Sequence, residues 1–210
     1  MSDARRRNPF PVPTRLQKVY LAELVGVAKA CYDRGWSHGT AGNFSLRGSD
    51  GLVWQSPSGL NKGALDPTAF IAIDLATAKP VVPQSARPSQ EMPVHLGIYR
   101  AVSGAVSVVH THPPALVERS RQGKDLVFKG EEMQKHLGCH DHLETLVVPV
   151  LKNPTPEEMP ALTDGVAAFI KAKVPMVVLA THGVYAWGRS PMEALSFIEA
   201  AEFLCSTNRA

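Results

Sequence analysis

The chain has 210 residues, of which 44% are hydrophobic and 20% are charged, and its formal net charge at pH 7 is +3. This length and composition suit one globular domain with a substantial core. The basic residues are scattered, which excludes the basic stripe typical of nucleic-acid binders. No run approaches the ~20 apolar residues that a membrane span needs. We therefore expect one domain over residues 16–210, a small-molecule partner, and neither a nucleic acid nor a membrane.

The cysteines indicate a reducing compartment. Cys31, Cys139 and Cys205 are odd in number and far apart, so they do not suit a disulfide framework. We expect the protein to be cytoplasmic. Near the N-terminus, three arginines at 5–7 are followed by a proline-rich segment instead of the apolar core of a signal peptide. Residues 1–15 are therefore predicted to form a flexible N-terminal arm.

Hydrophobic periodicity predicts mixed helices and strands. A first amphipathic helix begins after Thr14 and ends before Gly35, and two strands at 43–46 and 52–55 are joined by a turn-forming segment that predicts a hairpin. The other predicted elements are, in chain order, strands 71–74 and 80–82, a helix near 92–102 capped at Ser89, a strand near 105–109, helices 114–121 and 131–137, a strand 146–150, a helix 162–171, strands 176–180 and 184–187, and a helix 191–205. Hairpins mixed with helices indicate a largely antiparallel sheet covered by helices.

Three histidines follow predicted apolar strands and suggest a metal site. His110 and His112 are two residues apart, and on an extended strand such residues point to the same face. His182 follows another apolar strand. Three neutral imidazoles with one open position are the ligand set of a catalytic zinc site. Spacing alone leaves open whether the two strand ends meet, or whether these are ordinary histidines where a strand joins a loop.

A second cluster of metal-ligating residues is a rival. His136, Cys139, His140 and His142 lie within seven residues. No apolar strand precedes this cluster to hold it rigid, so an exposed loop is the favoured interpretation.

Two glycine-containing segments, 39–43 and 56–63, suit a phosphate group. Their glycines let backbone N–H groups approach an anion closely, and the second segment adds the positive charge of Lys62. Ser89 lies at a predicted helix start, where free amide groups favour anions. Glu91 and Glu132 could supply the carboxylate that proton transfer requires. Each of these features also has a simpler interpretation as a turn, a helix cap or a residue that interacts with the helix dipole.

Seven short motifs form an ordered set along the chain. They are GW at 35–36, GNFS at 42–45, SG at 58–59, KG at 62–63, RPSQE at 87–91, HTH at 110–112 and HGVYAWG at 182–188. Together they resemble the class II aldolase and adducin head-domain family over roughly residues 16–203. The resemblance implies an α/β fold with three α/β/α layers and a central, mainly antiparallel sheet. It also implies a homotetramer with active sites between neighbouring subunits.

The family resemblance also implies roles for individual residues. It implies that His110, His112 and His182 bind one Zn²⁺ per subunit. It assigns phosphate and substrate binding to Asn43, Ser58, Gly59, Lys62 and Ser89. Glu91 matches the acid/base glutamate of the sugar-phosphate aldolases, whereas Glu132 matches the one proposed for the dehydratases, and Glu132 is favoured as the principal group. Such a group must be partly desolvated, so that its pKa rises from about 4.3 toward neutrality.

Within the family, the chain is most similar to the dehydratase branch of methionine salvage. The features are KG at 62–63, EMQK at 132–135 and YAWG at 185–188. This similarity implies zinc-dependent conversion of 5-methylthioribulose 1-phosphate to 2,3-dioxo-5-methylthiopentyl 1-phosphate and water. The alternative is a class II sugar-phosphate aldolase or epimerase that acts through the same metal enediolate. A non-catalytic module like the adducin head would lack ligands that are present here. Pro113 is a departure, since the dehydratases more often carry serine there, and proline removes both a hydroxyl and a backbone donor.

Overall fold

The computed structural model describes residues 11–81, 86–170 and 174–207. Within these ranges the helices are α1 Arg15–Asp33, α2 Met92–Ala101, α3 Pro114–Ser120, α4 Leu162–Gly165 and α5 Pro191–Thr207. The strands are β1 Asn43–Arg47, β2 Leu52–Gln55, β3 Ile71–Asp74, β4 Lys79–Pro80, β5 Ser107–Thr111, β6 Leu126–Phe128, β7 Leu146–Val148, β8 Val150–Leu151, β9 Met176–Leu179 and β10 Gly183–Gly188. Short 3-10 helices occur at Lys62–Ala64, Pro67–Ala69, Glu132–Leu137, Met159–Ala161 and Val166–Phe169.

Eight of the strands form one sheet, in the order β4-β3-β2-β1-β5-β10-β9-β8. Neighbouring strands are antiparallel except β8 and β9, which are parallel. Strands β6 and β7 form a separate antiparallel pair. In the centre of the large sheet, His110 of β5 lies opposite Asn43 of β1 on one side and Tyr185 of β10 on the other. Directly opposed residues point to the same face, so these three side chains form one row.

Helices cover both faces of the sheet. On one face, Phe44, Val109 and Ala186 belong to a core shared with α1 and α5. On the other face, Val108 and Val177 belong to a second core shared with α2 and α4. The alternation of Val108 and Val109 between the two cores follows from the two-residue period of a strand. This arrangement confirms the predicted three-layer α/β/α fold with a mainly antiparallel central sheet.

Most predicted elements are present, and the differences concern two segments, 146–150 and 162–171. The hairpin of β1 and β2, the strand β5 and the helices α1, α2, α3 and α5 are confirmed. The predicted strand at 146–150 is two strands, β7 and β8, in different sheets, and the predicted helix at 162–171 is the short α4 followed by a 3-10 turn. Residues 1–10, 82 and 171, which entered other predictions, lie outside the described residues. No described helix is long and apolar enough to cross a membrane.

Candidate metal and substrate site

The three histidines converge at one end of the central strands. His110 is the fourth residue of β5, His112 follows that strand directly, and His182 lies in the turn between β9 and β10. Their candidate ligand nitrogens lie within 4.8 Å of one another. Among the described residues, no other cluster of three or more His, Cys, Asp or Glu side chains has this geometry. The pairing of β5 with β10 therefore brings together two strand ends whose meeting the sequence left open.

Hydrogen bonds orient two of the imidazoles. His110 Nδ1 donates to the carbonyl oxygen of Val184 at 3.0 Å, and His182 Nδ1 donates to Oδ1 of Asn153 at 3.2 Å. In both rings the donor to a protein oxygen is Nδ1, so the lone pair that can bind a metal is on Nε2. The Nε2 atom of His110 is buried and makes no hydrogen bond. An unpartnered buried ring nitrogen is costly, and a metal ion bound to it would remove that cost, so this donor set fits a metal.

Burial favours the neutral form of His110 and His112. It is the largest influence on His110 and His112, and it lowers the pKa of both rings. The neighbouring histidines act in the same direction, while Glu91 opposes them. A neutral imidazole is the form that binds a metal, so no proton needs to leave before ligation.

Close packing of the histidines depends on Gly183. A Cβ atom at this position would lie 2.6 Å from the carbonyl oxygen of Thr111, 2.8 Å from Cδ2 of His112 and 2.9 Å from Cε1 of His110. Such distances are shorter than van der Waals contact. Glycine therefore lets the turn that carries His182 pack directly against the other two histidines.

Beside the histidines, a cleft of about 700 Å³ opens to solvent. This volume lies in the range of small-molecule sites. The residues that line it include most of those predicted from the sequence, namely Asn43, Ser58, Lys62, Ser89, Glu91, His112 and His182. Gly59 adjoins Ser58 and has φ of 78°, a conformation that favours glycine. The fold thus places both predicted anion-binding segments on the same cleft as the histidines.

Lys62 is a buried cation at the edge of this cleft. Its side chain is only 1% exposed, and Nζ donates to the backbone carbonyls of Thr40 and Leu60 at 2.8 Å each. Burial lowers its pKa, and the nearby Glu91 opposes that effect. Among the described residues, no carboxylate oxygen lies within 4.0 Å of Nζ. Carbonyl groups do not neutralise the charge, so this site is suited to an anion.

Glu91 precedes α2 and faces the histidines. Its Oε1 lies 2.9 Å from His182 Nε2, its Oε2 lies 3.2 Å from His110 Nε2, and it accepts a hydrogen bond from Asn43 Nδ2. Burial acts to raise the pKa of Glu91, but His110, His182 and Asn43 together outweigh burial and lower it. The carboxylate is therefore held in its charged form beside the candidate ligand atoms. Ser89, the predicted helix cap, accepts the backbone N–H of Glu91 with its hydroxyl at 3.2 Å.

Glu132 occupies a different environment. It begins the 3-10 helix Glu132–Leu137, its side chain is 69% exposed, and it pairs with Lys135 at 2.5 Å and His142 at 3.0 Å. The hydrogen bond from Lys135 lowers its pKa. Glu132 is not among the residues that line the cleft. Within this chain the structure therefore does not bring Glu132 to the histidines, and Glu132 lacks the desolvation that an acid/base group needs.

The rival cluster contacts Glu132 through His142, and its histidines are largely exposed. The side chain of His140 is 90% exposed, and that of His142 is 43% exposed. His136 shares a hydrogen bond with the hydroxyl of Ser196 at 3.0 Å. The exposure of the histidines agrees with the predicted loop, whereas Cys139 is buried and His136 lies in the 3-10 helix Glu132–Leu137.

Two residues beside the histidines had no role in the sequence prediction. The ring of Tyr185 stacks on that of His110 with centroids 4.0 Å apart, and Asn153 orients His182. Alternation along the predicted strand places Tyr185 on the same face as Trp187. Its position opposite His110 depends on the pairing of β10 with β5, which only the tertiary structure shows. Asn153 follows β8, and its position depends on the parallel pairing of β8 with β9. No local pattern indicates that pairing.

Comparison with known proteins identifies the family. Residues 22–208 match the Class II Aldolase and Adducin N-terminal domain. Among similar proteins, a methylthioribulose-1-phosphate dehydratase from Sorangium cellulosum is 35% identical, with 87% of this chain and 88% of that protein covered. A methylthioribulose-1-phosphate dehydratase from Pectobacterium atrosepticum is 34% identical, with 87% and 91% covered.

Solved structures agree in fold. The L-fuculose-1-phosphate aldolase from Thermus thermophilus has a TM-score of 0.72 and 28% identity, with 90% of this chain and 93% of that chain covered. A sugar-phosphate aldolase from Thermotoga maritima has a TM-score of 0.68 at 18% identity, with 91% and 94% covered, and this likeness concerns the fold alone. The chain therefore belongs to the class II aldolase and adducin N-terminal domain family.

Proposed function

We propose that the protein is a zinc-dependent dehydratase of methionine salvage. It converts 5-methylthioribulose 1-phosphate to 2,3-dioxo-5-methylthiopentyl 1-phosphate and water. The observation that carries the proposal is the convergence of three imidazoles beside a cleft with anion-binding loops, in a chain that is 35% identical to a methylthioribulose-1-phosphate dehydratase. One catalytic domain over residues 16–210 and a cytoplasmic location are part of the proposal, and the three free, buried cysteines support the latter.

The metal ligands in this proposal are His110, His112 and His182. When bound there, a zinc ion supplies Lewis acidity toward the substrate carbonyl and its neighbouring hydroxyl. The protein's part is to favour the neutral form of His110 and His112 through burial, and to orient His110 and His182 through the partners of their Nδ1 atoms. Zinc analysis of the purified protein tests this assignment. We expect about one zinc per chain in the wild type and a loss in His110→Ala, whereas equal zinc in both would remove His110 from the site.

The phosphate end of the substrate lies, in this proposal, against the two glycine-containing segments. The residues that hold phosphate and substrate are Asn43, Ser58, Gly59, Lys62 and Ser89. Lys62 supports this orientation most directly, because its buried charge is solvated by two carbonyls and not by a carboxylate. Phosphate provides the anionic partner.

Loss of water requires two proton movements. One proton leaves the carbon next to the carbonyl, and the hydroxyl group on the following carbon departs with a proton. A single positioned carboxyl group can do both, at a gain of about 10² to 10⁴ in rate. We assign this task to Glu132 of a neighbouring subunit in a homotetramer. Glu91 of the subunit that supplies the histidines orients the substrate. The exposure of Glu132 in the isolated chain supports this assignment, because an assembly could desolvate it.

A substrate panel tests the activity. Metal-replete protein is incubated with 5-methylthioribulose 1-phosphate, and formation of the diketone is followed. We expect turnover in the wild type and none in His110→Ala. Cleavage to dihydroxyacetone phosphate or inversion at a carbon of another sugar phosphate would indicate the aldolase or epimerase alternative, and absence of diketone would refute the proposal.

Mixing of subunits tests where Glu132 acts. Glu132→Gln and His110→Ala are each expected to be inactive as homogeneous assemblies. In mixed assemblies, about a quarter of the sites would combine intact histidines with an intact Glu132 from a neighbour, so that activity returns. If Glu132 acted within its own subunit, mixing would restore nothing. If Glu132→Gln alone kept full activity, Glu91 would be the acid/base group.

A further inference from the structure

Behind Glu91, four buried side chains connect the cleft to the interior of the α2 layer. Tyr99 OH lies 2.8 Å from Ser45 Oγ, which lies 2.7 Å from His95 Nδ1. His95 Nε2 contacts Asn43 Oδ1, and Asn43 Nδ2 contacts Glu91 Oε2. The exposed fraction is 2% for Tyr99, 4% for Asn43 and 0% for Ser45 and His95. The five side chains thus form a continuous hydrogen-bonded chain that ends at the candidate site.

The two elements that supply this chain explain its continuity. Asn43 and Ser45 are two residues apart on β1 and point to one face. Glu91, His95 and Tyr99 follow one another at intervals of four residues, with His95 and Tyr99 on one side of α2. The strand pair and the helix row interleave, so that each polar atom meets a partner from the other element.

The direction of donation follows from the charge at one end. A carboxylate only accepts hydrogen bonds, so Asn43 must turn its NH₂ group to Glu91 and its Oδ1 to His95. Oδ1 in turn requires that His95 carry its proton on Nε2. Nδ1 then accepts from Ser45, and the Ser45 oxygen accepts from the Tyr99 hydroxyl. Every bond therefore donates toward Glu91.

We propose that His95, Ser45 and Tyr99 are positioning residues that hold the amide of Asn43 in the single orientation that donates to Glu91. This inference rests on the proposed function for its kinetic consequences. Without the proton on His95 Nε2, Asn43 Oδ1 would lose its donor, and the amide could turn its NH₂ group away from the carboxylate. Glu91 would then lose the partner that fixes it beside the histidines. Such a donor chain, polarised in one direction, is stronger than isolated bonds.

The surroundings of His95 agree with a neutral ring of fixed tautomer. Burial lowers its pKa to about 3, while Glu91 acts in the opposite direction. The ring also lies edge-on to Tyr185, with centroids 5.6 Å apart, which restricts its rotation.

Kinetics of paired variants test the positioning role. In His95→Leu we expect kcat to fall roughly 10- to 100-fold, with KM within about threefold and zinc content unchanged. His95→Gln, whose amide can donate to Asn43 and accept from Ser45, should recover most of the loss. Tyr99→Phe should lower kcat only a few-fold. In the His95→Leu background it should lower kcat no further, because the series of hydrogen bonds is already interrupted at His95. Tyr20→Phe, a partly buried tyrosine on α1, is the matched control and should leave kcat unchanged.

A result in which His95→Gln is as impaired as His95→Leu, or in which the losses simply multiply, would overturn the proposal. If His95→Leu fails to fold, the tautomer of His95 in the wild type decides the proposal. NMR of protein labelled with ¹⁵N-histidine provides a readout that needs no turnover, with His95→Gln identifying the signal. We expect a neutral His95 protonated at Nε2, and a proton on Nδ1 would refute the inference even in an active enzyme. Absence of turnover in the wild type would refute the proposed function and leave this test intact.

Discussion

Replacement of Lys62 by methionine removes a buried positive charge from the cleft while it keeps much of the side-chain volume. Lys62 is 1% exposed, so solvent screens its charge little. A hydrogen bond to a charged group contributes about 1.5–3 kcal/mol. Because about 1.36 kcal/mol corresponds to a factor of ten, we expect substrate and inorganic phosphate to bind roughly 10- to 150-fold more weakly to Lys62→Met. The carbonyls of Thr40 and Leu60 also lose their donor, so thermal unfolding should be measured alongside.

The assay for this variant is competitive inhibition by inorganic phosphate, together with KM for the sugar phosphate. Lys29→Met is a matched control, since Lys29 is 60% exposed and pairs with Asp33 on α1. We expect Lys29→Met to change both constants less than about twofold. Unchanged phosphate inhibition in a folded Lys62→Met protein would refute the reasoning, and so would an effect confined to kcat.

Three further predictions concern the histidine site and the core. In Gly183→Ala the new methyl group should displace the histidine rings, and metal analysis should show at least about a tenfold lower metal content. The control Gly104→Ala, with nothing within 4 Å of the added atom, should retain metal. Loss of the hydrogen bond to His182 in Asn153→Ala should weaken metal binding by about 10- to 100-fold in a chelator competition, and unchanged affinity would exclude Asn153 as an orienting group. Burial raises the pKa of the Cys31 thiol to about 12, so alkylation at pH 8, mapped by mass spectrometry, should be slow until denaturant is added, and rapid labelling of the folded protein would contradict this.

Local patterns are sufficient for much of the fold. The hairpin of β1 and β2 is visible in the sequence because turn-forming residues separate two short apolar runs. Helices α1 and α5 are long and keep an apolar face, and such segments depend little on their surroundings for identification. The prediction of one strand at 146–150 is wrong because the division of this segment between two sheets is imposed by different partners, β6 and β9. A similar limit applies to the helix predicted at 162–171, which is the four-residue α4 followed by a short 3-10 turn packed against α2.

The pair His110 and His112 shows how much of the candidate metal site can be predicted from residue spacing. Alternation on a strand indicates that His110 and His112 can share a ligand, and the ordered motifs add His182. The sequence by itself therefore determined the family, the fold class and the chemical character of the cleft. Whether His182 reaches the pair depends on β10 lying antiparallel beside β5, and the buried chain behind Glu91 depends on α2 packing over β1. These are contacts between segments distant in the sequence, and only the tertiary structure decides them. The same holds for Glu132, whose motif suggests acid/base chemistry while the tertiary structure leaves its side chain 69% exposed and away from the cleft. Residue types and local periodicity are properties of a segment, whereas desolvation and proximity are properties of the assembled surface around it.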